Sequence, residues 1–531
     1  MGDADHHAYV EPQPHAATYN TFSVTRLQNS LDFLKNNNVK HILFRRRAAE
    51  EIRMVLTARP TDFYDRCKND IVEVFNKILK KPKEDMMVIE QILWTLTNLS
   101  HSSSPLIHDM LPTGIVKWIA AYAKVAPTPS VREQAVMCLG NFAADCQPCR
   151  MSVIRTNILD TILDTLQTPT NLTPVHRDTY AWTLENIIRQ TPQTPDAVKI
   201  NIQDPIKMIN ALYGLVMLPP PDESIKQALS VLLEWISSDT DKSIGKLVIS
   251  HELLMNQLSH MFLHHDDESS SAIIRSIGNL AYNDDDVIQN IVGYGFVNAM
   301  VERLKTASLS LEADIIWCIS NILGSHIPPF IFEIYDREDL WEFIVDSCYN
   351  YDFHMRREAL FCVINIVSFF QDHRKDEIYR MFFGRLIIET LIGFVTEEHT
   401  SMAQAIQGLL AHVIEEMKLR NLNFKELIEK HRFEEAVRRR QEWTQNALQE
   451  MEDEAPGKRE LLKIVELCEE TLRLIEGYKT VIFFNLPYTA VTSQILTTPV
   501  SSRPSRGNHQ SFAILDASLE NLSPIVEKMS Y

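Results

Sequence analysis

The sequence predicts an all-α protein built as a repeat solenoid, and three observations carry that prediction. Only 15 of its 531 residues are glycine, under half the roughly 7% of average usage, which argues against Gly-rich phosphate loops and a turn-heavy β protein. A short phrase, usually a bulky residue followed four positions later by Asn, recurs with a period in the low to mid forties. Between recurrences the apolar residues fall at helical spacing with no alternating runs.

The phrase reads Trp94-Thr-Leu-Thr-Asn98, Met137-Cys-Leu-Gly-Asn141, Trp182-Thr-Leu-Glu-Asn186, Val231-Leu-Leu-Glu-Trp235, Arg275-Ser-Ile-Gly-Asn279, Trp317-Cys-Ile-Ser-Asn321 and Phe361-Cys-Val-Ile-Asn365, with a weaker copy at Gln407-Gly-Leu-Leu-Ala411. Successive fifth residues are separated by 43, 45, 49, 44, 42, 44 and 46 positions. That period without strand signals marks an armadillo- or HEAT-type array, a right-handed superhelix in which each repeat buries its apolar face only against its neighbours. Ser130 with Glu133 reads as a capping box. Thr173-Pro174 reads as a cap with proline at the first helical position.

The array spans about 58–430. Before it, residues 1–57 form a polar segment ending in the basic stretch Leu43-Phe-Arg-Arg-Arg-Ala-Ala-Glu-Glu-Ile-Arg53. After it, residues 431–478 read as charged amphipathic helix with a stripe of Leu461, Ile464, Val465, Cys468, Leu472 and Ile475, stopping at Gly477. Residues 479–531 decay into Thr, Ser and Pro and read as a mostly disordered tail.

Charge and composition narrow the function. Fifty-two Lys and Arg against 70 Asp and Glu give a net charge of −18, which disfavours nucleic acid and anionic membrane as partners and favours a cationic ligand. No apolar run is long enough for a membrane span, the N-terminus lacks a signal pattern, and the eight cysteines mostly lie in apolar helical runs, as reduced thiols do. A soluble intracellular protein is expected. Walker, dinucleotide, HExxH and nucleophile-elbow motifs are missing, so neither an enzyme nor a cofactor is expected. Cys146-Gln-Pro-Cys149 is a lone CxxC in an expected inter-helix loop, without the two further ligands a zinc site needs. His264-His265-Asp266-Asp267-Glu268 reads as a solvated loop, and Arg438-Arg-Arg440 as a solvated helix face.

Residues four apart share a helix face. Trp94, Trp182 and Trp317 therefore each sit one turn from Asn98, Asn186 and Asn321. Stacked repeats would form parallel rows of indole and amide along one wall. Asn offers donors and acceptors to an extended backbone, and slots between indoles suit the stems and charges of Lys or Arg. Asn is also a scaffold residue of such repeats, so the row alone does not decide for a ligand.

These residues resemble the importin-α family, adaptors for nuclear localisation signals, over roughly 80–415. Val131-Arg-Glu-Gln-Ala-Val136 through Asn141-Phe-Ala-Ala-Asp145 resembles the family's second repeat. Arg189 resembles its third-repeat arginine, and Arg275 with Asp284-Asp285 the repeat in which arginine replaces tryptophan. Trp235 echoes the repeat that carries an aromatic in place of Asn. The resemblance implies a major peptide site of Trp94, Asn98, Asn141, Asp145, Trp182 and Asn186, with Asp145 receiving a lysine. It implies a minor site of Arg275, Asn279, Asp285, Asp314, Trp317, Asn321, Glu358, Phe361 and Asn365. It further implies a non-enzymatic adaptor in cytoplasm and nucleus, with basic cargo signals, importin-β and a nuclear export receptor as partners. Met137, Val231 and Phe361 stand where the family has Trp, and Ala411 where it has Asn. Residues 43–53 resemble part of the importin-β-binding segment, with an amphipathic capping helix as the other reading. A general armadillo scaffold for cytoskeletal or signalling partners is the alternative function.

Overall fold

A computed structural model describes residues 24–36, 41–58, 60–81, 83–102, 104–189, 204–237, 242–281, 284–324, 328–350, 352–373, 432–451 and 458–481. The Gln407–Ala411 copy of the phrase and residues 482–531 of the expected tail lie outside these residues, while 479–481 are helical. The described residues are helical with short connections. In order the helices are α1 (Val24–Lys35), α2 (Ile42–Ala58), α3 (Pro60–Leu79), α4 (Met86–Ser102), α5 (Ser104–Met110), α6 (Ile115–Val125), α7 (Pro129–Asp145), α8 (Gln147–Ile154), α9 (Ile158–Leu166), α10 (Pro174–Ile188), α11 (Pro205–Val216) and α12 (Glu223–Ser237). There follow α13 (Ser243–Ile249), α14 (Glu252–His264), α15 (Asp267–Ala281), α16 (Asp285–Gly293), α17 (Phe296–Leu304), α18 (Leu309–Leu323), α19 (Pro328–Tyr335), α20 (Glu338–Ser347), α21 (Phe353–His373), α22 (Phe433–Glu450) and α23 (Lys458–Val481).

The chain forms two compact units, Met1–Leu258 and Ser259–Tyr531. In the first, α2, α4, α7, α10 and α12 each pack on the next. In the second, α15, α18 and α21 do the same. Apart from α2, these are the helices that carry the repeated phrase, and shorter helices precede most of them, as in α5–α6–α7, α8–α9–α10 and α16–α17–α18. The fold is therefore an all-α repeat solenoid. Their apolar faces form the core: Val136, Leu139, Leu184, Ile187, Ile277, Ile319 and Val363 are all fully buried.

Local chemistry sets the helix starts. Thr173 accepts the His176 N–H at 3.3 Å ahead of Pro174, as the sequence predicts. Asp204 accepts the N–H groups of Ile206 and Lys207 ahead of α11, and Asp284 that of Val287 at 3.2 Å, satisfying donors that a helix start leaves open. The Ser130–Glu133 capping box does not form, because α7 already starts at Pro129 with Thr128 as its cap residue. A proline fixed at helical φ sets that start, and Glu133 instead pairs with His176 on α10 at 2.5 Å. Gly114 and Gly295, at φ 71° and 78°, make the left-handed turns into α6 and α17, where a side chain would be strained.

Gly477 does not end the C-terminal helix, which runs on to Val481. One interior glycine costs a helix only about 1 kcal/mol, less than the burial of Ile464, Cys468, Leu472 and Ile475 supplies. Arg440 corrects a second expectation. Arg438 and Arg439 pair with Glu434 and Glu435 on the helix surface, but Arg440 is buried at 2% exposure with its guanidinium 4.9 Å from the Trp443 ring. Among the described residues no helix is long and apolar enough to cross a membrane.

Candidate functional site

Within each unit the phrase helices present a rung apiece. Trp94, Trp182, Trp317 and Phe361 are half-buried and Arg275 is exposed. Met137 is buried, and at the fourth rung Val231 and Trp235 are both sealed in the core. That rung thus offers neither an aromatic face nor an amide to a ligand.

A glycine on the preceding helix seats two of the indoles. A Cβ placed on Gly140 of α7 would fall 2.3 Å from Cζ3 of Trp182, and one on Gly278 of α15 would fall 2.3 Å from Cζ3 of Trp317. Both distances lie far inside the roughly 3.5–4.0 Å of carbon–carbon contact, so each ring lies against bare backbone one repeat earlier. The Gly-Asn pairs Gly140-Asn141 and Gly278-Asn279 are the sequence signal of that seat.

The asparagines brace one repeat to the one before. Asn141 Nδ2 donates to the Thr97 carbonyl at 2.9 Å and to Ser100 Oγ at 3.0 Å. Asn321 donates to the Gly278 carbonyl at 3.0 Å and Asn365 to the Ser320 carbonyl at 3.2 Å. In all three the acceptor immediately precedes the previous rung's Asn. Asn98 donates to Thr57 Oγ1 at 2.8 Å and Asn186 back to the Trp182 carbonyl at 3.0 Å. Asn98, Asn141 and Asn186 are buried, whereas Asn279, Asn321 and Asn365 are only half-buried. The first unit buries its amides, whereas those of the second unit keep part of their surface open while Asn321 and Asn365 still brace the repeats.

The acids of both units are engaged internally. Asp145, on the last turn of α7, accepts from His108 Nε2 at 2.9 Å and from Cys149 Sγ at 3.5 Å. Asp314 accepts from the Ser271 hydroxyl, and burial, partly offset by that bond and by Arg275, pushes its carboxyl above the usual range. Glu358 is buried, accepting from Ser320 Oγ at 2.9 Å and from Arg357. Asp285 lies half-buried in the first turn of α16. Arg189 caps α10, with its guanidinium 3.5 Å from Glu185.

One rung escaped the sequence pattern. Thr57, the partner of Asn98, lies 41 residues before it, so α2 is a phrase helix reading Arg53-Met-Val-Leu-Thr57. Arg53 occupies the bulky position and lays its guanidinium 4.1 Å over the Trp94 ring while donating to Gln91 at 2.7 Å. The period was the only available signal, since neither end of the phrase is kept. The neighbouring arginines are committed too. Arg45 forms a buried two-bond pair with Glu84 at 2.6 and 3.2 Å, and Arg46 a half-buried one with Asp85 at 2.7 and 2.8 Å. This stretch is an amphipathic helix docked on α4.

Sequence comparison gives the ladder its relatives. A HEAT-like repeat profile matches residues 129–187, the stretch from α7 to α10. Importin subunit alpha-1b of rice (Oryza sativa subsp. japonica) is 26% identical over 227 residues, 42% of this chain and 40% of that one. This chain is a divergent relative of importin-α. Importin subunit alpha-5 of Arabidopsis thaliana is 32% identical over 142 residues, 26% of each chain, so the matched region spans well under half of these relatives' length. Among solved structures, an engineered structural-genomics protein superposes with a TM-score of 0.64 at 18% identity, over 84% of this chain and 99% of its own. That likeness speaks for the fold alone.

Proposed function

We propose that this importin-α relative is a non-enzymatic adaptor that holds an extended Lys/Arg-rich signal along its phrase helices, chiefly on the second unit. The carrying observation is the half-exposed row Asn279, Trp317, Asn321, Phe361 and Asn365, with half-buried Asp314 on the Trp317 helix and Asp285 on α16, which packs on α15. Aromatic faces attract a cationic head by about 0.5–1 kcal/mol at such sites, and nearby carboxylates add charge-assisted bonds. Amide oxygens of Asn321 and Asn365 serve as acceptors for peptide N–H groups, since each side chain already donates an N–H internally. The net charge of −18 speeds encounter with a cationic strand. The first-unit set, Trp94, Asn98, Asn141, Asp145, Trp182 and Asn186, is the secondary surface in this reading. In this reading importin-β is the carrier, a nuclear export receptor recycles the adaptor, and the chain moves between cytoplasm and nucleus. Engagement of importin-β by residues 43–53 requires α2 to release Glu84 and Asp85.

Fluorescence anisotropy with a labelled basic signal peptide tests this. Trp317→Ala with Phe361→Ala lowers affinity roughly tenfold, about 1.4 kcal/mol from two lost aromatic contacts, and Trp94→Ala with Trp182→Ala lowers it less. Unchanged binding in both pairs overturns the reading. The buried, internally bonded Asn98, Asn141 and Asn186 favour a second reading, a general armadillo scaffold whose partners ignore peptide charge.

A further inference from the structure

The corner where α5, α7 and α8 meet gathers four side chains of another chemistry. Cys146 is the cap residue of α8, and its sulfur accepts the Cys149 N–H at 3.4 Å. That turn brings the two Sγ atoms to 2.8 Å. Asp145, the last residue of α7, puts Oδ2 3.5 Å from Cys149 Sγ. His108 on α5 reaches across with Nε2 2.9 Å from that oxygen and 3.6 Å from Cys146 Sγ. All four donor atoms lie within 4.8 Å of one another. The sequence shows the CxxC pair alone because the third ligand is adjacent to it and the fourth is 38 residues earlier.

We propose that His108, Asp145, Cys146 and Cys149 form a structural zinc site. With Zn–S near 2.3 Å and Zn–N and Zn–O near 2.0–2.2 Å, a tetrahedron has sulfur–nitrogen and sulfur–oxygen edges of about 3.5 Å, a sulfur–sulfur edge of about 3.8 Å and a nitrogen–oxygen edge of about 3.3 Å. One sulfur–nitrogen separation, Cys146 to His108, and one sulfur–oxygen separation, Cys149 to Asp145, already match, and the other two lie within 4.8 Å. The sulfur–sulfur and nitrogen–oxygen pairs are closer, and zinc entry opens both. Two thiolates, an imidazole and a carboxylate select zinc over oxygen-preferring magnesium or calcium. Cys149 is fully buried, Cys146 and Asp145 half-buried and His108 exposed, so the site is closed on its protein side with its histidine as the entry side. Arg150 fixes the corner by donating to the Ala143 carbonyl at 3.1 Å and the Arg189 carbonyl at 2.6 Å. Zinc here ties three helices of one repeat junction together. It also takes the carboxylate of Asp145 away from any peptide lysine, which weakens cationic recognition on the first unit relative to the second.

The test is zinc stoichiometry of the full chain, purified anaerobically with reductant from zinc-replete expression and measured by elemental analysis. The wild type carries a single zinc, and cobalt replaces it with the absorption bands of a tetrahedral dithiolate. His108→Ala, on the exposed edge, and Cys146→Ser each cut retained zinc roughly tenfold or more, while circular dichroism shows the same helix content. Zinc at background in the wild type, zinc retained in either variant, or a mass two units low from a Cys146–Cys149 disulfide overturns the site.

Discussion

Alanine at Gly278 is a change that helix propensity alone scores as favourable, by about 0.8–1.0 kcal/mol in a helix interior. The packing reverses that sign. The new Cβ would stand 2.3 Å from Cζ3 and 2.9 Å from both Cε3 and Cη2 of Trp317, so the indole must leave its seat or α15 and α18 must separate. Overpacking of this kind costs about 1–3 kcal/mol. Gly293→Ala is the matched control, because a Cβ there meets nothing within 4 Å. Urea denaturation of the full chain, followed by circular dichroism, compares their midpoints. Gly278→Ala is expected to be about 1–3 kcal/mol less stable than Gly293→Ala. In a Trp317→Ala background the clash is gone, and Gly278→Ala becomes stabilising by about 1 kcal/mol. An equal loss in both backgrounds, or no loss in either, refutes the seating of the ring on bare backbone.

Glu84→Ala strands Arg45 in the core and should cost about 3–5 kcal/mol, read from the same denaturation curves. Burial raises the Glu84 carboxyl, but bonds from Arg45 and Lys81 outweigh it and hold its pKa below the ordinary glutamate value. Its contribution is therefore present above that value and lost as pH falls through the lower folded pKa, so acid melts of the wild type lose a stability that Glu84→Ala never had. Arg53→Ala uncovers the Trp94 ring: acrylamide quenching of tryptophan emission rises, and in a Trp317→Ala background basic-peptide affinity increases roughly two- to fivefold. Unchanged quenching places the Arg53 guanidinium away from the ring in solution.

The array could be read from sequence because its signal is redundant: Trp182–Asn186 and Trp317–Asn321 repeat both residue types in phase. The first rung could not, because Arg53 and Thr57 keep the positions while changing both residues. Asn141 could be placed on the ladder but not assigned a job, since a donor to Thr97 and a donor to a peptide look alike in sequence. The same limit applies to Asp145, whose neighbour His108 is distant along the chain. Gly477 and Ser130 misled for a simpler reason, because burial and an N-terminal proline outweigh a local propensity of about 1 kcal/mol.

The most direct measurement of the central claim is a salt series of peptide anisotropy with the full chain, using a Lys/Arg-rich strand and its Glu-substituted counterpart. Affinity for the basic strand should fall steadily as salt rises through physiological strength, with the acidic strand unbound throughout. Equal binding of the two strands, or an affinity indifferent to salt, contradicts a ladder that reads positive charge.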